Sequence, residues 1–163
     1  MAAHFHRKIA YGPLTEVRWE RGGNKPGSSY LTILRADESG TPLLTVYSSD
    51  IYYEPYTVTV YRADADALEQ LRVIADRHRM AAWDDLPPDR DNVMLDGLST
   101  DVTLVFNNES VGGGRRETVR ISYESKLPDG ALDALREFTD YLNQWATGER
   151  LVESRSEARG NYH

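Results

Sequence analysis

The hydrophobic period of this chain switches from two to about 3.6, back to two and again to 3.6, and that sequence of periods limits the folds open to it. Thr15, Val17 and Trp19 alternate with Glu16, Arg18 and Glu20, the pattern of a strand with one buried face. Tyr30 to Arg35 reads as a second strand, Asp37-Glu-Ser-Gly40 as a turn and Leu43 to Tyr47 as a third. Tyr56 to Tyr61 is the fourth, with Val58 and Val60 on one side and Thr57 and Thr59 on the other. After Arg62, Leu68, Leu71, Ala75, His78 and Ala82 share one helical stripe, opened by a capping box of Asp66 with Glu69 and ending near Ala82. Val102, Leu104 and Phe106 restore the strand period, as do Val119, Ile121 and Tyr123. The last helix, capped by Asp129, carries Leu132, Leu135, Phe138, Leu142 and Trp145 up to Gly148.

The order ββββαββα predicts an α+β fold, an antiparallel sheet of about six strands with two helices packed on one face and water on the other. The expected core joins Leu71, Ile74, Phe138, Leu142 and Trp145 to Val58, Leu104 and Ile121. A chain of 163 residues suits one domain, which at that size hides roughly 70% of its unfolded surface. Its expected bounds are residues 13–148, with 1–12 a loose leader ahead of Pro13 and 149–163 a frayed charged tail. In that tail Glu149, Glu153 and Glu157 fall four apart, as do Arg155 and Arg159, and like charges at that spacing oppose a helix.

Composition narrows the function classes. The absence of cysteine excludes thiol nucleophiles, thiolate metal sites and redox switching. Nineteen basic against twenty-six acidic residues leave a net charge of −7, which repels nucleic-acid backbones and anionic lipid and suits a basic protein partner. With no apolar run long enough for a signal peptide or a membrane span, the chain is expected to be cytoplasmic.

Catalytic and metal chemistry find no template. Nucleophilic catalysis needs a base, and of four histidines only His78 lies inside an expected element, where Arg77 and Arg79 flank it and a cation suits a helix C-terminus. Asp84, Asp85, Asp89, Asp91, Asp96 and Asp101 could gather around a hard cation, yet from Asp89 the fifth and sixth places hold Val93 and Met94 where a calcium loop needs an oxygen ligand and glycine. Gly112-Gly-Gly-Arg-Arg116 joins two strands and lacks the lysine and helix of a phosphate loop. His4 and His6 sit in the leader. No cofactor and no metal are therefore expected.

Tyrosine is concentrated instead, with five of ten within the fifteen residues from Tyr47 to Tyr61. Tyr47, Tyr52, Tyr53 and Tyr56 are the candidate binding residues, because a rigid aromatic face with one polar tip suits contact surfaces; packing across a sheet is the other reading. In an extended segment Tyr52 and Tyr53 point to opposite faces, and Pro55 suits an edge or loop.

From Val58 onward, Val58-Thr-Val60, Leu68 with Leu71, Trp83, Asp96-Gly97, the strands around Leu104 and Ile121, and Pro128 follow one another in order. This outline resembles a widespread group of uncharacterised bacterial proteins over about half the chain. The resemblance implies the fold and carries no activity. Together these readings point to a non-enzymatic binding or protein-interaction module, an inhibitor or immunity-type protein being one version, with a protein partner or self-association. The alternative is a small hydrolase or other enzyme with an unrecognised active site.

Overall fold

The computed structural model describes residues 12–22, 29–49, 55–89, 100–108 and 115–158. Its strands are β1 (Leu14–Gly22), β2 (Ser29–Ala36), β3 (Pro42–Ser49), β4 (Tyr56–Arg62), β5 (Thr100–Asn108), β6 (Arg115–Ser122) and β7 (Leu151–Glu157). Helix α1 (Ala67–Arg77) follows β4, and α2 (Ala131–Asn143) follows β6. The strands form one antiparallel sheet in the order β6-β5-β1-β2-β3-β4-β7. Both helices cover one face of it, as the α+β reading expects.

Local chemistry explains the elements. Between β2 and β3 the Asp37 carboxylate accepts hydrogen bonds from the Ser39 amide at 2.9 Å, the Ser39 hydroxyl at 2.6 Å and the Thr41 amide at 3.0 Å. These bonds, the Ser39 hydroxyl first, hold its pKa below the ordinary carboxylate value. Gly40 takes the left-handed φ of 88° that closes this turn. At the start of β1, Gly12 has a φ of 85°, and a Cβ there would stand 2.0 Å from the Asn107 carbonyl oxygen, so only glycine fits.

The main core lies between the helices and the sheet. Leu71 and Ile74 from α1 and Leu135, Phe138 and Leu142 from α2 pack with Trp145 on Val17, Leu34, Leu44, Leu104 and Ile121. Burial of side chains this size stabilises the fold by about 1.5–3 kcal/mol each. Leu132 is exposed, on the outer side of α2. α1 ends at Arg77, five residues before Ala82. Arg79 turns left-handed, with φ 55°, and a 3-10 turn over Met80–Trp83 replaces the last helical turn. In that tighter winding residues three apart eclipse, so Met80 and Trp83 both reach the core. Neither expected cap forms. Asp66 makes no side-chain cap bond while Glu69 turns to Arg72, and α2 is entered through Gly130, with φ 83°, instead of Asp129.

Three other expectations are corrected. A bulge between Leu14 and Glu16 takes Thr15 out of the alternation and pairs Leu14 with Phe106, so Leu14 joins Val17 in the core. The face away from the helices is not wet throughout: Val58 leaves the expected helix-to-sheet core and packs there with Leu31, Ile33, Tyr47, Tyr56 and Val60. The cause is β2, whose Leu31 and Ile33 face one way and Leu34 the other, which makes both sheet faces apolar where it runs. Finally, Leu151–Glu157, read as frayed tail, is the seventh strand and pairs with β4. Along a strand the neighbours on one face are two apart, and at that spacing Arg155 falls between two glutamates. Arg155 accordingly bonds both Glu153 and Glu157, the latter at 3.0 Å.

Candidate functional site

Two of the four candidate tyrosines, Tyr47 and Tyr56, are among the described residues. Tyr47 and Tyr56 are each 6% exposed in the second cluster, and the Ser29 hydroxyl lies 3.4 Å from the Tyr56 hydroxyl across β3. Tyr52 and Tyr53 lie outside the described residues, as do the leader through residue 11, Asp91, Asp96 and the glycines of the β5–β6 loop. Arg115 and Arg116 open β6.

Of the acidic connection, Asp84 accepts the Arg120 amide at 2.7 Å and the Asp85 amide donates to the Arg120 carbonyl at 2.9 Å. These residues tie the connection to β6. No set of three histidine or carboxylate groups among the described residues is arranged to hold a metal ion. His78, the one histidine among them, caps the end of α1 and meets Glu137 of α2 through Nε2 at 2.8 Å. Arg77 reaches the other oxygen of Glu137 at 2.8 Å, and the His78 bond, with Arg77 adding charge, holds the Glu137 carboxyl below its ordinary pKa. The pair joins the helices.

Charge is also gathered in an open groove of about 490 Å³ on the helix-free face of β6, β5 and β1. Glu16, Glu20 and Asp101 stand there among Arg18, Arg116 and Arg120. Much of this charge is internally satisfied, since Arg18 and Arg35 both approach Glu16, at 3.8 and 3.4 Å. The opposite situation holds at the end of β1.

Val17, Trp19 and Arg21 continue one face of β1, so the strand period aims Arg21 toward the helix side, at the rim of the core. Arg21 pairs with Tyr30 on β2 and with Thr100 on β5, and the Tyr123 amide donates to the Thr100 carbonyl at 3.0 Å. Tyr123, just past the end of β6, thus lies in one row with Arg21 and Tyr30. The guanidinium carbon lies 4.0 Å from the centre of the Trp19 ring and 5.3 Å from that of Tyr30, both cation–π distances. No carboxylate among the described residues forms an ion pair with it. Its Nε and the Trp19 Nε1 are closed to solvent without a hydrogen-bond partner, and each such unmade bond costs about 1–3 kcal/mol.

Burial lowers the Arg21 pKa, opposed by the Tyr30 and Tyr123 phenols. Burial also pushes Tyr123 up to about 12, with Arg21 acting against it. Tyr123 in addition lines a depression of about 300 Å³ beside Ser125, Leu127 and Pro128. The row is a cation in an aromatic frame with donors to spare. None of its members belonged to the tyrosine segment, although one signal was legible: a charged residue at the inward position that follows Val17 and Trp19. No protein-family model, curated protein or solved structure matches the chain.

Proposed function

We propose that the protein is a non-enzymatic binding module that holds an acidic group of a protein partner, with Arg21 as its anchor. The observation that carries this reading is a half-buried guanidinium with an unused N–H and no carboxylate among the described residues to neutralise it. Removing a charge from water is costly unless an opposite charge meets it, and an incoming carboxylate would offer two acceptor oxygens to the half-buried Arg21 guanidinium. The aromatic frame supports recognition for a second reason. A phenol near 12 and a guanidinium keep their protons at neutral pH, so this row donates hydrogen bonds and attracts charge without shuttling protons. Among the described residues, the one histidine that could serve as a base, His78, is bonded to Glu137. No described helix is long and apolar enough to cross a membrane. A cytoplasmic setting belongs to the proposal.

The test is a titration followed by NMR on the Arg21 Nε–H and Trp19 Nε1–H resonances. A short polyglutamate peptide should move both saturably, polylysine of equal length should not, and Arg21→Met should abolish the response while the protein stays folded. Resonances that ignore polyglutamate up to about 1 mM, or answer both peptides alike, would overturn the reading.

A further inference from the structure

The sheet has two edges, β6 and β7, and they are treated differently. On β6, the Arg120 amide donates to the Asp84 carboxylate and the Arg120 carbonyl accepts from the Asp85 amide, so the connection after α1 lies along that edge. Among the described residues nothing pairs with the outer edge of β7. A row of open N–H and C=O groups is a template for another strand. β7 also bears two of the four large apolar side chains that are strongly exposed among the described residues, Leu151 at 48% and Val152 at 47%.

We propose that β7 pairs antiparallel with β7 of a second copy on a twofold axis through Ser154, extending the sheet across the dimer. The charge pattern selects both the occupant and the register. Glu153, Arg155 and Glu157 share one strand face, where Arg155 already bonds both acids of its own chain. An axis at Ser154 engages the whole strand and sets Glu153 opposite the partner's Arg155, and by symmetry does so twice. Moving the axis to Arg155 sets that arginine against itself and Glu153 against the partner's Glu157. Moving it to Glu153 sets that glutamate against itself. In the Ser154 register Val152 faces the partner's Ser156 and loses water.

Two experiments on the full chain test this. Sedimentation equilibrium should show twice the 18.5 kDa monomer mass, with a dissociation constant on the order of 10–100 µM. Arg155→Glu places like charges opposite each other twice and should weaken the dimer roughly tenfold or more, whereas Glu153→Arg with Arg155→Glu should restore it. The chain has no cysteine, so Ser154→Cys introduces a single thiol at the axis. It should cross-link under mild oxidation, and Ser156→Cys should not. A wild-type chain that stays monomeric to about 1 mM overturns the proposal, as does a folded double variant that stays monomeric or cross-linking through position 156 in place of 154.

Discussion

On the helix side of the sheet, Val17, Leu34, Leu104 and Ile121 are sealed by two amphipathic helices that bring Leu71, Phe138 and Leu142 down onto them. On the other side, Leu31, Ile33, Tyr47, Tyr56, Val58 and Val60 are also buried, although both helices lie elsewhere. The first region draws its members from nearly the whole chain; the second comes from three consecutive strands. Alternation along a strand therefore reports which residues share a face, and says nothing of how that face is covered.

Substitutions can break this comparison. Phe138→Ala removes the largest ring that α2 places over the sheet and should cost about 3–5 kcal/mol in urea unfolding. Leu31→Ala in the second cluster should cost about 2–5 kcal/mol if that cluster is packed as tightly as its burial implies. A loss under about half a kcal/mol would make it a loose layer rather than a second core. Tyr56→Phe keeps the ring but gives up the contact with Ser29, and thermal melting should register a loss of about 0.5–1.5 kcal/mol.

The smallest effect concerns pH and belongs to the helix side alone. Glu137 has a folded pKa below its ordinary 4.5, so its contribution is present above that value and is lost as pH falls through the lowered folded pKa. Since the side chain is 41% exposed, solvent screening limits the effect to a few tenths of a kcal/mol. Glu137→Gln should flatten the acid limb of the stability curve below about pH 4.5, and an unchanged limb would show that the Arg77–His78–Glu137 bridge between the helices contributes nothing.

The strand and helix periods were legible because Val17, Leu104, Ile121, Leu71 and Phe138 repeat at the spacing their elements require. Where the reading missed, the information lay between elements. Val58 and Val60 announce a buried face but not which one, since register with Tyr47 and Leu31 decides it. Glu153, Arg155 and Glu157 rule against a helix, and testing them at strand spacing would have revealed β7. The bulge at Thr15 carries no residue signature of its own. Tyr47 and Tyr56 showed a concentration of aromatic side chains, and Arg21 became visible as a candidate only once Tyr30 and Tyr123 were brought beside it from other strands.

β1 is bonded on one side to its sequence neighbour β2 and on the other to β5, across about half the length of the chain. During refolding the two sides cannot close at the same speed. The β1-β2-β3-β4 meander needs only short loops, whereas Val17 meets Leu104 after a long closure that must wait for α1 and the connection beyond it. Until that happens, the strand destined for the middle of the sheet is an edge, with Val17 and Trp19 open to other chains, which makes the half-formed protein prone to aggregate at high concentration. Pulsed hydrogen exchange should find amides of the β2–β3 and β3–β4 ladders protected before those shared by β1 and β5, and simultaneous protection would show that the long closure does not lag behind the meander.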